Sequence, residues 1–297
     1  MAQKSYISIV GADERKQGVR EAVSLLGINN PAAGRSVFIK PNLNTADPFP
    51  ASTHPETLEA IIQLAKEMGP ISVTVGDRSG PADTGEVMRQ LGIPELCSGH
   101  GVALMNLEEL PLNRWERIDP PGSHWTEGFL FAKPVMEAGC VISTCCLKTH
   151  GFGGVFTMSL KLSIGAVHGE NMSELHTSFR SMRKMIAEVN TAYTPSIILM
   201  DAMEAFTDKG PMSGPRKHAG LIVAGTDRVA IDAVGLAILK DLGSNRAIMD
   251  TPIFAQEQIS RAVELGLGAS SPSEIELVHN SDGADAASRI RTILDMG

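Results

Sequence analysis

Short runs rich in Val and Ile recur along this chain, each followed by a turn and then a stretch with helical spacing, and that alternation limits the folds open to it. The strand candidates are Tyr6–Val10, Ser36–Ile39, Ile71–Val75, Gly128–Ala132, Cys140–Thr144, Ser196–Met200 and Gly220–Ala224. Runs such as SIILM and GLIVA are apolar at every position, as expected of strands covered on both faces. Helical spacing marks Asp13–Leu26, Pro55–Met68, Thr84–Leu91, Phe179–Ala192, Asp227–Leu242, Pro252–Leu265 and Ala284–Met296. Strands alternating with helices predict an α/β fold, with a mainly parallel sheet, helices on both faces and Rossmann-like layers. Punctuation agrees: Thr53-His54-Pro55-Glu56 sets a polar cap before a first-turn proline, and Gly69 and Gly266 stand where helices should end.

No repeat, low-complexity tract or linker-like composition shift divides the 297 residues. Residues 1–297 therefore read as a single α/β unit, or as two lobes, large enough to bury a substantial core. Residues 104–128 hold Trp115, Trp125 and a Pro-Pro-Gly turn but little periodicity. They read as a lid, a small subdomain or a long surface excursion.

A net charge of −8 and only 4% aromatic residues argue against a nucleic-acid or membrane-surface binder, which would want a basic face or a stacking platform. No apolar stretch reaches the roughly 18 residues that a bilayer span requires. The N-terminal MAQKSYISIV lacks the apolar core of a signal peptide. Cys97, Cys140, Cys145 and Cys146 are too few for a disulfide framework. The expectation is a reduced, cytoplasmic protein.

Against this acidic background, Gly139–His176 is conspicuous. The strand at Cys140 leads to Lys148 and His150, then to the glycine-rich turn Gly151–Gly154, an apolar segment carrying Lys161, and His176. Buried charge is costly unless paired, so two ammonium groups among apolar elements point to an anionic partner. Other strand candidates also end in polar residues: Lys40-Pro41-Asn42, Asp77 and Asp201. In an open parallel sheet, ligands bind just beyond the carboxyl ends of the strands. Parallel strands would therefore gather these residues on one rim. On this reading His150, Lys148 and Lys161 are the catalytic candidates. Lys40, Asn42, Asp77, Gly153, Gly154 and Asp201 are the candidates for binding a small anionic ligand. The glycines would let backbone N–H groups approach an oxyanion. Asp232, inside an apolar helix pattern, is either a paired carboxylate or an orienting group. The cysteines do not make an iron–sulfur motif: in an extended strand Cys145 and Cys146 face opposite ways, and Cys140 lies roughly 20 Å from Cys146.

The chain resembles, nearly end to end, the family known as domain of unknown function 362. The resemblance rests on Lys40-Pro41-Asn42, Gly76-Asp77, Leu147-Lys148-Thr149-His150, Thr157, Ser159-Leu160-Lys161, Gly165, His176, Asp201, Gly210-Pro211, and Gly225-Thr226-Asp227 with Ala230 and Asp232. The family pattern usually has Lys-Asn where Lys161-Leu162 stands. Many relatives carry ferredoxin-like cluster domains whose cysteines this chain lacks, so the resemblance does not bring a redox role with it. A more remote similarity is to the nickel-pincer lactate racemase family, through His150, Gly151-Phe152-Gly153-Gly154, Lys161 and His176 in that order. That similarity implies His150 as general acid/base, Lys161 as the residue holding the cofactor, and His176 near the metal.

The leading functional expectation is an enzyme acting on a small carboxylate- or phosphate-bearing substrate, with Lys40 and Lys148 gripping the anion and His150 moving a proton near its ordinary pKa of about 6.5. Asp77 or Asp201 would orient the imidazole or a cation. The alternatives are a metal- or iron–sulfur-linked redox protein, with His150, His176 and Asp201 as ligands, and a non-catalytic anion-binding module.

Overall fold

The computed structural model describes residues 4–297, so Met1–Gln3 of the N-terminal segment lie outside the described residues. Among the described residues there are eleven strands: β1 Ser5–Gly11, β2 Ser36–Lys40, β3 Ser72–Asp77, β4 Ala103–Asn106, β5 Trp115–Ile118, β6 Phe129–Ala132, β7 Cys140–His150, β8 Val155–Phe156, β9 Ile197–Phe206, β10 Arg216–Gly225 and β11 Ile275–His279. The main sheet has the order β11-β1-β10-β9-β7-β2-β3-β4, with β8 added as a hairpin on β7. The pairs β9–β7, β7–β2, β2–β3, β3–β4 and β1–β11 are parallel. Strand β10 is antiparallel to both β1 and β9.

The sheet is therefore mixed: mostly parallel, as expected, but with β10 running against both of its neighbours. Reversal of β10 sends Gly225 and Asp227 to the edge opposite the ends of β7 and β9. There Asp227 accepts from the N–H groups of Val229 (2.8 Å) and Ala230 (3.0 Å) and caps the helix Arg228–Leu242. An apolar run reads the same in either direction, so GLIVA carried no sign of this reversal. The run Phe129–Ala132 pairs with β5 in a separate two-stranded sheet.

Alternating side chains divide the core as a pleated sheet requires. Ile197 and Leu199 pack toward the helices Arg15–Leu25 and Pro55–Glu67, whereas Ile198, Met200 and Ala202 pack toward Arg228–Leu242 and Ala284–Met296. A third apolar cluster on the latter side includes the buried Trp115 and Trp125 from the weakly periodic segment, with Phe129, Phe131 and Met185. Two strands run further than their apolar cores indicate. β7 continues through Lys148 to His150, where it finds backbone partners in β9 and β8, and β9 through Asp201 to Phe206, where it pairs with β10 and β7. Every residue of β7 is buried, its polar end included. Among the described residues no helix is long and apolar enough to cross a membrane.

Candidate functional site

The carboxyl ends of β9, β7, β2 and β3 lie side by side, and a cavity of about 400 Å³ opens between them and the segments that follow. It is bordered by Lys40 and Asn42 beyond β2, Asp77 and Arg78 beyond β3, Lys148 and His150 from β7, Pro211 and Met212 beyond β9, and Lys161 and His176 from two helices.

At its floor the Nζ of Lys40 donates to Asp77 Oδ1 at 2.6 Å and to the Pro41 carbonyl at 3.0 Å. Asp77 also accepts from the N–H groups of Leu43 and Arg78, both at 2.7 Å. Burial works against both charges, lowering the pKa of Lys40 and raising that of Asp77, while their mutual attraction opposes it. The pair is neutral as a unit, and two of the three Lys40 Nζ donors are used within the protein. The grip expected from Lys40 is thus directed at Asp77. Asn42 donates to the Ala51 carbonyl at 2.9 Å.

Lys148 and Lys161 are placed differently. Lys148 is buried, and its Nζ donates to the Ala51 carbonyl. Lys161 is half-buried and makes no hydrogen bond among the described residues. Arg78 gives its guanidinium N–H groups to the carbonyls of Val167 (2.7 Å), Ser79 (2.7 Å) and Ile164 (3.4 Å). Among the described residues none of these three cations is in a salt bridge. Burial lowers the pKa of Lys148. Lys161 is lowered to about 8, by burial first and then by the charges of Lys148 and Arg78.

The mount of Lys161 is rigid. It sits in the short helix Ser159–Leu162, whose leading N–H groups, of Ser159 and Leu160, donate to Asp232 at 2.7 and 3.0 Å. Asp232 is thereby an orienting group. Burial raises its pKa to about 7 against the pull of those two hydrogen bonds.

His150 ends β7, and the chain turns sharply back through Gly151–Gly154 into β8. The turn brings the Gly154 N–H to His150 Nδ1 at 3.2 Å, so Nδ1 is an acceptor and the neutral ring carries its proton on Nε2. Gly151 donates to the Gly210 carbonyl at 2.7 Å. The N–H groups of Gly151 and Gly154 are therefore spent within the protein, and neither Gly153 nor Gly154 borders the cavity. This replaces the expected oxyanion cradle with a fixture for the imidazole. The fixture is strained: Val155, a β-branched residue, has φ +67°. Gln258, from the helix Glu257–Glu264, holds the turn through the carbonyls of Gly154 (2.6 Å) and Phe156 (3.0 Å). The pKa of His150 falls to about 2, through burial first and then the charges of Lys161, Lys148 and His176. The ring is not poised near 6.5 in the free protein.

Asp201 does not reach the cavity. Because β9 runs on to Phe206, Asp201 lies within the sheet, accepting from Thr57 Oγ1 (2.6 Å), Arg15 Nε (3.1 Å) and the Met203 N–H (3.1 Å). His176 is exposed at the cavity mouth with Nδ1 2.7 Å from the Met172 carbonyl.

The profile of the family described as "Domain of unknown function (DUF362)" matches residues 37–237, more than half of the chain. The chain belongs to the DUF362 family. No curated protein matches it. Among solved structures it is similar to the lactate racemase apoprotein from Thermoanaerobacterium thermosaccharolyticum, with 12% identity and a TM-score of 0.49 over 95% of this chain and 85% of that one.

In this DUF362 chain the described residues contain no group of three His, Cys, Asp or Glu side chains able to hold a metal ion. His150 and His176 border the cavity, but Asp201, the third expected ligand, is paired with Arg15. The side chains therefore do not by themselves form the expected metal centre. All four cysteines are free and buried, and burial raises their thiol pKa values. Sequence reasoning missed Arg78, although it stands next to Asp77 in GDRSG. It also missed Gln258, whose only signal was a buried position on an amphipathic helix.

Proposed function

We propose that this DUF362 protein is an enzyme that seats a small carboxylate- or phosphate-bearing substrate between Lys148 and Lys161, with His150 as its proton-handling group. One observation carries the reading: two ammonium groups border one cavity, and no carboxylate of the described residues forms a salt bridge with either. An unpaired buried charge is among the most expensive features a fold can hold, and a bound anion removes that cost. Apolar walls from Leu162, Ile164 and Met172 exclude water and strengthen each ion pair made inside.

His150 begins neutral, offering Nε2–H to the ligand. An anion between the lysines cancels the repulsion that those lysines exert on an imidazolium, so the proton affinity of His150 rises when the site is loaded. The proton-handling form is thus coupled to substrate binding.

Calorimetric titration with lactate, pyruvate and inorganic phosphate tests this reading. Binding of at least one anion, weakened about tenfold or more by Lys148→Ala, is the expected result. Folded wild-type protein that binds none of the three, or binding indifferent to Lys148→Ala, would overturn it. His150→Ala should keep the binding and lose turnover.

A further inference from the structure

We infer that Lys161 is a nucleophilic amine that condenses with the carbonyl carbon of a 2-oxo carboxylate, whose carboxylate group is held by Lys148. The inference rests on the anion-binding reading above and adds the substrate class and a covalent step.

Three structural facts support it. First, the amine borders the cavity with no hydrogen-bond acceptor or salt-bridge partner among the described residues, so its lone pair is not tied up once the proton leaves. Second, it is held in place. Its helix is bound at the leading end by Asp232, its neighbours Leu160 and Leu162 are buried, and Ser163 Oγ donates to the Leu160 carbonyl at 2.7 Å. Third, Lys148 and Lys161 have unequal roles. Lys148 is buried and anchored on the Ala51 carbonyl, whereas Lys161 is half-buried and unanchored. One ammonium fixed as a charge beside one amine free to react is the arrangement that imine formation needs. A neighbouring cation and desolvation are the means by which proteins keep a lysine neutral enough to attack. The pKa of about 8 for Lys161 fits that task.

The step balances without an oxidant or reductant. The neutral amine attacks the carbonyl carbon, a C–N bond forms, and the carbonyl π electrons move to oxygen, which takes up a proton. Loss of that oxygen as water leaves a protonated imine; overall, ammonium plus ketone gives iminium plus water. His150 Nε2–H is the donor available to the carbonyl oxygen as its charge develops.

Full-length protein is incubated with pyruvate, the probe for a 2-oxo acid, and sodium cyanoborohydride near pH 7.5, then digested and mapped by mass spectrometry. The expected result is a single reduced adduct on Lys161, at a yield at least about tenfold above that of any exposed lysine, whose ordinary pKa near 10.4 leaves far less free amine. Lactate, which has the carboxylate but no carbonyl, should protect Lys161, and Lys161→Arg should abolish the adduct. No Lys161 adduct while pyruvate or lactate binding is measurable overturns the covalent step and leaves the anion site standing. Adducts spread evenly over exposed lysines also overturn it. Absence of the adduct together with absence of binding to pyruvate, lactate and inorganic phosphate overturns both readings.

Discussion

Lys40 Nζ and Asp77 Oδ1 meet at 2.6 Å directly beneath Gly165. A Cβ at Gly165 would lie 2.3 Å from that oxygen and 2.6 Å from that nitrogen. The glycine is needed here because a buried ion pair occupies the space of a side chain. Gly165→Ala is expected to push the pair apart at a cost of about 2 kcal/mol or more in urea unfolding. Asp77→Asn, which leaves Lys40 buried without its counter-charge, should cost about 3–5 kcal/mol. A neutral Gly165→Ala would mean that the pair has room to move.

Asp201 and Asp77 both follow apolar strand runs, yet only Asp77 borders the cavity. Asp201→Asn strands the Arg15 guanidinium that packs over the Phe49 ring at 4.6 Å. It should lower stability by about 3 kcal/mol and leave the affinity for small anions unchanged. A large loss of affinity in a folded Asp201→Asn protein would contradict the placement of this carboxylate.

The ring of His150 is expected to be neutral, with its proton on Nε2, throughout the range in which the free protein is folded, because its pKa lies at about 2. Nitrogen-15 spectra of labelled imidazoles check this directly. Saturation with a bound carboxylate or phosphate should move the titration upward, since the repulsion from Lys148 and Lys161 is then offset. A free-protein titration near 6.5 would contradict the burial of the ring beside Lys148 and Lys161, and a proton found on Nδ1 would contradict the Gly154 hydrogen bond.

Asp232 has a folded-state pKa of about 7, above the ordinary carboxylate value near 4. Over that span the native state holds a proton that the unfolded chain has already lost. Its contribution to stability is therefore full at about pH 4 and falls as pH rises to about 7, by on the order of a few kcal/mol. Asp232→Asn does not titrate, so the stability gap between wild type and variant should narrow across that interval. A gap that stays constant or widens would show that the two N–H donors outweigh burial.

Much of this protein could be read directly from the chain. The helix Ala284–Met296, the capped start at Pro55 and the strand cores of β1, β2 and β9 follow from local spacing and capping chemistry, which a linear sequence carries in full. The grouping of Lys148, His150 and Lys161 was equally legible, because charges inside apolar runs are conspicuous wherever the chain goes. The strands β4 and β11 were not visible. β4 carries no buried residue and β11 buries only Ile275, so neither has the continuous apolar run that marks a covered strand.

The sequence alone thus determined the layered α/β character and the cationic residues that make a site. Tertiary structure alone decided which charges remain free. Lys40 and Lys148 look alike in the sequence, but one is neutralised by Asp77, thirty-seven positions further along, while the other is not. The reach of β9, which excludes Asp201 from the cavity, and the direction of β10 were likewise settled by pairing between strands far apart in the chain. Periodicity within a segment reports which residues are buried. It carries no information about the partner, direction or register that burial finally adopts.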